Sequence, residues 1–256
     1  MIKNQGHSSQ SGIFDISAAM LHIIAMTFML MDHLWATLLP AQDWLTCVGR
    51  LAFPIFAFMA VEGYFHTHSF KKYILRLLLF AVLSEIPFDL MYGGTWFYPF
   101  HQNVIWTLLI GLSGIQLMEK VRKKQKLWIF LPTAVLVVLV GSALGTVGMA
   151  DYYGAGVLTL FIFYFFRGRK WWCFSGQLLA LYWVNVELLG GLMYSIRLFG
   201  MNFELCQQGL ALLSLLPIWL YRGRQGCHTK VFQYSCYAFY PIHMLLLALV
   251  LNYVNR

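Results

Sequence analysis

Apolar residues occur along the chain in blocks of membrane-spanning length, separated by short turns rich in proline, glycine and polar residues. A bilayer core about 30 Å thick needs about 20 apolar residues per helix. We expect the apolar block that begins at residue 171, the seventh in the chain, to extend past Gly190 and Gly191 into an amphipathic stretch that ends at Gly200. The pattern predicts an all-α fold, a polytopic transmembrane helical bundle of about nine spans. The nine predicted spans are residues 17–39, 48–67, 71–92, 101–119, 127–148, 152–166, 171–190, 204–221 and 231–253.

The composition supports this fold class and excludes several others. Of the 256 residues, 60% are hydrophobic and only 11% are charged, whereas a soluble domain is about 45–50% apolar and about 25% charged. A soluble enzyme, a nucleic-acid-binding protein, a disordered chain and a secreted disulfide scaffold are therefore excluded. We predict a polar cytoplasmic tail at residues 1–15 and a single transmembrane domain at residues 16–256. The first apolar run is too long for a cleavable signal peptide, so we expect it to remain as the first helix.

The basic residues indicate how the bundle is oriented. The chain carries 18 lysines and arginines and a formal net charge of +8. With nine spans, all but three of these basic residues fall on the side of the N-terminus, and the exceptions are Arg50, Arg197 and Arg256. Cytoplasmic loops are enriched in lysine and arginine. We therefore expect a cytoplasmic N-terminus and an extracytoplasmic C-terminus, with anionic lipid rather than nucleic acid as the partner of the basic loops.

Ionisable side chains within predicted spans are costly and usually mark a functional pathway. Most of those in this chain are expected in the extracytoplasmic half of the bundle, and Glu62 and His66 are expected near the cytoplasmic mouth. The pattern indicates a polar site deep in the bundle with a route from the cytoplasm. The alternative interpretation is that these groups form structural salt bridges at helix ends. The set comprises Asp32, His33, Arg50, Glu62, His66, Glu85, Asp89, His101, Asp151, Glu187, Arg197 and His243.

His33 is the leading candidate for a general base, because a neutral imidazole has a pKa near 6.5. Asp32 is adjacent in sequence, and neighbouring residues on a helix do not face each other. The carboxylate that orients His33 is therefore either Asp32, at a helix end, or one of Glu85 and Asp89. His243 is a second candidate base. Each histidine also has a structural interpretation, His33 as an interfacial side chain and His243 as a packing side chain beside Pro241.

Ordered motifs spread over residues 17–253 resemble the TraX family. That family is associated with conjugative pilus biogenesis, and its founding member N-acetylates the N-terminus of the pilin subunit. A more distant resemblance extends to membrane acyltransferases of the heparan glucosaminide N-acetyltransferase type. The motifs are Met29-Leu30-Met31-Asp32-His33, Val48-Gly49-Arg50-Leu51-Ala52-Phe53-Pro54-Ile55-Phe56-Ala57-Phe58, Val61-Glu62-Gly63-Tyr64-Phe65-His66-Thr67-His68, Ser84-Glu85-Ile86-Pro87-Phe88-Asp89, Gln102-Asn103-Val104, Asp151-Tyr152-Tyr153-Gly154 and Tyr240-Pro241-Ile242-His243.

The resemblance implies an acyl-CoA-dependent N-acetyltransferase of a bacterial cytoplasmic (inner) membrane. Acetyl-CoA would be the donor, no metal is expected, and the acceptor would be the N-terminus of a pilin or other peptide, with a saccharide as another possibility. His33 would be the acid/base residue. The implied catalytic set is His33, Asp32, Arg50, Glu85 and Asp89. The implied donor site is Lys71, Lys72, Arg76, Glu62, His66, Phe53, Pro54 and Phe56. The implied acceptor site is Gln102, Asn103, Asp151, Arg197 and His243.

Two other function classes fit the same pattern of residues. A small-solute transporter would use intramembrane charges for ion coupling, although the chain has no evident internal repeat. A non-catalytic membrane assembly factor would need the surface of the bundle and not its cavity. A response to CoA or acetyl-CoA would separate an acyltransferase from both.

Overall fold

The computed structural model describes residues 15–124, 126–198, 201–227 and 229–254, and these residues are mostly helical. Of the predicted 1–15 tail, residues 1–14 lie outside the described residues. The elements in chain order are α1 (Ala18–Thr37), α2 (Asp43–Gly49), α3 (Ala52–His66), α4 (Phe70–Tyr92), α5 (Val104–Lys124), α6 (Leu127–Val147), α7 (Tyr153–Phe165), α8 (Trp171–Tyr182), a π-helix (Trp183–Leu189), β1 (Met193–Leu198), β2 (Met201–Cys206), a 3₁₀ helix (Gln208–Ser214), α9 (Leu215–Leu220) and α10 (Lys230–Val254).

Five helical segments in the described part of the chain are long and apolar enough to cross a bilayer: α1, α2 with α3, α5, α6 and α10. The helix α4 has a suitable length of 23 residues, but it carries both basic residues and carboxylates. The helix α7 and the segment Gln208–Leu220 are shorter apolar helices. The prediction of a helical membrane protein is therefore confirmed, whereas the count of nine spans stays a prediction.

One part of the all-α prediction is wrong, because residues 193–198 and 201–206 pair as the antiparallel strands of a β-hairpin. Its register pairs Met193 with Cys206 and Leu198 with Met201. The preceding π-helix ends at Gly190 and Gly191, whose φ angles of 61° and 124° suit glycine and stop the helix. The side chains that follow alternate between apolar and polar with a period of two, the period of a strand. The amphipathic extension predicted after the seventh span therefore falls on β1, and the eighth predicted span begins within β2 instead of in a helix.

Hydrogen bonds and ion pairs gather the basic loops at one end of the bundle, which we call the basic end. Arg167, after α7, pairs with Glu62 near the end of α3. Arg169 donates to the carbonyl oxygens of Trp219 and Tyr221, at the end of α9. At the opposite end, the backbone of Gln102 pairs with the turn between α6 and α7. The predicted alternation of the loops between the two sides of the membrane stays a prediction.

A break between α2 and α3 places Arg50 at the opposite end from the basic loops. Pro54 lies in the first turn of α3, where a residue without an N–H group is tolerated because the first backbone donors of a helix have no intrahelical partner. Arg50 is the C-cap of α2. The Arg50 side chain therefore extends from the junction between α2 and α3, where backbone groups at the helix ends lack intrahelical partners.

Glycines allow α5, α6 and α7 to pack closely. A Cβ atom added at Gly111 would meet Leu160 of α7, and one added at Gly145 would meet the carbonyl oxygen of Tyr153. Small residues at helix interfaces are typical of membrane bundles, where backbones must approach closely to gain van der Waals contact. The other face of α6 exposes large aliphatic side chains, including Leu131 and Leu139, as expected for a surface in contact with lipid.

Candidate functional site

Two histidines that are 210 positions apart in the sequence meet inside the bundle. His33 of α1 is 8% exposed and His243 of α10 is 5% exposed. The Nδ1 atom of His33 lies 2.7 Å from the Nε2 atom of His243. The Nδ1 atom of His243 lies 2.7 Å from the carbonyl oxygen of Phe239, one turn earlier on α10. The structure therefore unites the two histidines that sequence reasoning treated as separate candidate bases.

Asp32 is engaged with Arg50 and not with His33. Its carboxylate accepts hydrogen bonds from the Arg50 guanidinium and, at 2.7 Å, from the Thr46 hydroxyl. The guanidinium also contacts the Thr46 hydroxyl at 3.1 Å and the side-chain oxygen of Gln208 at 3.5 Å. Gly49 makes room for this cluster, because a Cβ atom there would overlap the Asp32 side chain. Asp32 and Arg50 thus tie α1 to the α2–α3 junction.

The carboxylate of Glu85 joins α4 to the start of α5. It accepts hydrogen bonds from the side-chain nitrogen of Asn103 and, at 2.8 Å, from the Trp106 indole. Asn103 is fully buried and also caps α5 by accepting from the backbone N–H of Ile105. The second Glu85 oxygen, Oε1, is buried and has no hydrogen-bond partner within the described residues.

Asp89 lies one turn further along α4 and is 2% exposed. Its Oδ2 atom accepts from the backbone N–H of Tyr98 at 2.9 Å, whereas its Oδ1 atom has no hydrogen-bond partner among the described residues. The nearby His101 ring contacts Asp151 at 3.3 Å. This hydrogen bond raises the pKa of His101, which lies in the loop between α4 and α5. Glu85, Asp89 and Asp151 thus form an acidic group at the end of the bundle that also holds His33.

The ring of Tyr92 lies between the histidine pair and this acidic group. Its centroid is 6.1 Å from that of His33, in an edge-to-face arrangement, and 5.8 Å from that of His101. The predicted catalytic residues therefore share one end of the bundle but divide into distinct hydrogen-bonded groups.

A cavity of about 680 Å³ opens at the basic end and extends into the bundle. Glu62, His66, Lys72 and Arg76 line its outer part, and Phe56, Met59, Leu77, Phe80 and Leu108 are among its apolar walls. Its inner part is lined by Met29, which precedes His33 by one helical turn, and by Tyr240. The Tyr240 ring is 6.0 Å from that of His243. The cavity therefore ends about one helical turn from the histidine pair, and neither histidine is among its lining residues.

Three of the predicted donor-site residues lie outside this lining. Lys71 is exposed at the start of α4. Phe53 is buried and stacks on Tyr152, with ring centroids 4.2 Å apart. Pro54 is buried within the first turn of α3. Among the predicted acceptor residues, Arg197 is exposed on β1, away from the buried groups at membrane depth where we expected it.

Glu62 at the cavity mouth is paired with a cation. Arg167 donates to it through Nε at 2.6 Å and through a second guanidinium nitrogen at 3.2 Å. The same guanidinium lies over the Phe65 ring, 4.1 Å from the centroid. Lys72 and Arg76 are the lysine and the arginine among the described cavity-lining residues.

Comparison with known proteins assigns the family. Residues 17–251 match the family described as TraX protein. The chain belongs to the TraX family. It is also similar to a probable fimbrial assembly protein FimC, serogroup H1, of Dichelobacter nodosus, with 28% identity over 257 residues that cover 91% of this chain and 95% of that protein. No solved structure matches the chain.

Several residues of this TraX-family site were not identified from the sequence. Thr46 and Gln208 complete the Arg50 cluster, and Tyr92 contacts His33. Tyr240 links the cavity to the histidine pair. Threonine, glutamine and tyrosine are common in membrane helices, so residue type alone does not distinguish them. Only the position of Tyr240 beside Pro241 and His243, inside a motif that carried the resemblance, could have indicated it.

Proposed function

We propose that this TraX-family protein is an integral-membrane acetyltransferase. It would transfer an acetyl group from cytoplasmic acetyl-CoA to an amine at the extracytoplasmic side, the N-terminus of a pilin or another peptide. The observation that carries the proposal is the cavity that runs from the basic end to the neighbourhood of His33 and His243. Such a path would let a donor made on one side of the bilayer deliver its acetyl group to an acceptor on the other side.

The lining of the cavity suits the parts of acetyl-CoA in order. Lys72 and Arg76 at the mouth would bind the phosphates, with arginine favouring bidentate contact. The apolar walls would hold the pantetheine arm. From Ala18 to Met29, both cavity-lining residues of α1, the helix rises about 17 Å at 1.5 Å per residue. By the positive-inside rule the basic end would face the cytoplasm of a bacterial inner membrane.

The reaction at the inner end of the cavity would be direct acyl transfer. The acceptor nitrogen attacks the thioester carbonyl carbon, forming the C–N bond, and the C–S bond to CoA then breaks. His33 takes the proton lost by the nitrogen and returns it to the departing CoA sulfur. Arg50, which pairs with Asp32 beside His33 in the sequence, would stabilise negative charge on the carbonyl oxygen. The products are the N-acetylated acceptor and free CoA.

The carboxylates beyond Tyr92 favour a basic acceptor. The buried Oδ1 atom of Asp89 and the Oε1 atom of Glu85 have no hydrogen-bond partner in the described part of the chain. A peptide ammonium group would be attracted to them before it loses its proton and reaches His33. The Dichelobacter nodosus relative is named as a fimbrial assembly protein, which makes a pilin the first acceptor to test and a saccharide amine the next.

The proposal is tested with purified protein in lipid nanodiscs, acetyl-CoA labelled with carbon-13 in the acetyl group, and candidate pilin peptides. Intact-mass analysis should find one labelled acetyl group on the peptide with the wild-type protein. His33→Ala should abolish the transfer while retaining stabilisation by CoA. Tyr253→Ala, which alters an exposed ring on α10, is the control and should behave as wild type. Full transfer by His33→Ala would exclude His33 as the base.

A second candidate function is a non-catalytic fimbrial assembly factor, which the name of the relative favours. A ligand that binds only the folded state raises the melting temperature, so CoA should stabilise an acetyltransferase. An assembly factor would show no response to CoA, and His33→Ala would still support pilus assembly in cells.

A further inference from the structure

The rings of His33 and His243 meet edge to edge. Their planes differ by 10° and their centroids are 4.9 Å apart, while Nδ1 of His33 and Nε2 of His243 are 2.7 Å apart. Atoms of rings stacked face to face are separated by about 3.5 Å or more. The nitrogen–nitrogen contact is therefore a hydrogen bond within the common plane of the rings, and one proton lies between the two nitrogens.

The backbone determines which nitrogen supplies that proton. Nδ1 of His243 lies 2.7 Å from the carbonyl oxygen of Phe239, and a carbonyl oxygen only accepts hydrogen bonds. Nδ1 of His243 must therefore carry a proton. In a neutral imidazole the other nitrogen is then an acceptor, so Nε2 of His243 accepts from His33. It follows that Nδ1 of His33 carries the proton and that Nε2 of His33 holds the free lone pair.

From this geometry we infer that His243 is a positioning residue that holds His33 in the Nδ1-protonated tautomer, with Nε2 as the proton-accepting atom. The inference rests on the proposed function for its chemical consequence. When Nε2 of His33 accepts the acceptor's proton, the imidazolium still donates through Nδ1 to His243, which spreads the charge toward the Phe239 carbonyl. His243 would then do for His33 what a carboxylate does for the histidine of a hydrolase triad.

The surroundings of the pair support a specific role over packing. Both rings are at least nine-tenths buried, and buried polar groups are costly unless hydrogen-bonded. Asp32, the nearest carboxylate in sequence, is engaged with Arg50 and Thr46. Phe239 and Tyr240 contact the His243 ring, and Tyr92 contacts the His33 ring by its edge. In the described structure His243 is the side chain that hydrogen-bonds to the His33 ring.

Two substitutions at His243 test the contributions of its two ring nitrogens separately. A glutamine amide replaces the position of Nε2 and can accept from His33, whereas an asparagine amide replaces the position of Nδ1 and does not reach His33. We expect His243→Asn to lower kcat roughly 100-fold with little change in the KM for acetyl-CoA, since a general base contributes about 10²–10⁴-fold. His243→Gln should recover most of that loss. Equal loss in both variants would indicate a packing role and overturn the inference.

Nitrogen-15 NMR of histidine-labelled protein in nanodiscs reads the tautomer directly and needs no acetyl transfer. The wild-type protein should show His33 protonated at Nδ1, and the His33→Gln variant assigns the signal. His243→Asn should convert His33 to a mixture of tautomers, and His243→Gln should restore the Nδ1-protonated form. An Nε2-protonated His33 in the wild-type protein would overturn the inference. If the tautomer is as stated but no acceptor gains an acetyl group, the proposed function fails and the tautomer assignment stands.

Discussion

The guanidinium of Arg50 donates to the carboxylate of Asp32 across the junction between α2 and α3, and it thereby attaches this junction to α1. The side chains are 20% and 14% exposed, so the pair is largely shielded from water. Because the hydroxyl of Thr46 contacts both partners, the two charges are held in one geometry. This arrangement holds α1, which carries His33, against the junction between α2 and α3.

Loss of the Arg50 charge should destabilise the protein. Arg50→Met leaves the Asp32 carboxylate shielded and unpaired, and breaking a buried pair costs about 3–5 kcal/mol, so we expect about 3 kcal/mol for this partly exposed pair. The free energy of unfolding is measured by denaturant titration in mixed micelles. Arg197→Met, on the exposed hairpin, is the matched control and should change it by less than about 0.5 kcal/mol. Equal effects of the two substitutions would contradict the structural role of the pair.

Charge reversal at the cavity mouth should weaken donor binding. The double variant Lys72→Glu and Arg76→Glu should raise the KM for acetyl-CoA at least about tenfold, because the phosphates would face two carboxylates instead of two cations. Added salt screens these charges, so the rise in KM should be smaller at high salt. The measurement is the initial rate of acetyl transfer against acetyl-CoA concentration. Lys123→Glu with Lys124→Glu makes the same charge change at the exposed end of α5. A similar rise in this control would show that the cavity is not the donor site.

The hydrogen bond between His101 and Asp151 should make stability depend on pH. It raises the pKa of His101 above its ordinary value near 6.5. The protonated ring is favoured in the folded state, so this stabilisation is complete below about pH 6.5 and is lost as pH rises through the folded-state pKa. Asp151→Asn should cost about 0.5–1 kcal/mol at pH 5.5 and less at pH 8.5. A larger cost at pH 8.5 would show that the sign is wrong.

Crowding the interface between α6 and α7 should destabilise the bundle. A side chain at Gly145 meets the backbone of Tyr153 and the side chain of Val157, so Gly145→Val should cost about 1–3 kcal/mol, as overpacking does. Ala143→Val adds bulk to the exposed face of the same helix and serves as the control in thermal unfolding. If both variants melt at the same temperature, the close approach of these helices is not required.

Sequence patterns were a good guide to the helices and a poor guide to the segment around residues 190–206. Long apolar runs such as 17–39 and 127–148 contain enough hydrophobic surface to specify a helix by themselves, because lipid leaves unpaired backbone groups no other partner. The segment at residues 193–206 is less apolar and alternates in polarity. Its hairpin depends on Gly190 and Gly191 ending the preceding helix, a local backbone feature that hydropathy does not register.

For the candidate site, helix direction predicted that His33, Arg50, Glu85 and Asp89 lie in the extracytoplasmic half of the bundle. It predicted His243 near mid-depth, and the structure brings this residue into contact with His33. The partnerships within that set were not predictable. Asp32 and His33 are adjacent in sequence, yet one bonds to Arg50 and the other to His243. Phe53 resembled a channel residue but stacks on Tyr152, while Phe56, one turn later, lines the cavity.

Amino-acid order alone was enough to establish a helical membrane protein and to predict basic loops at one end with a polar group near the other. These properties follow from hydrophobicity and charge, which are summed over many residues and tolerate small errors in helix boundaries. The pairing of two imidazoles through chosen nitrogens depends on how α1 and α10 rotate and pack against each other. That rotation is decided by contacts between residues far apart in the chain, so only the folded structure reveals it.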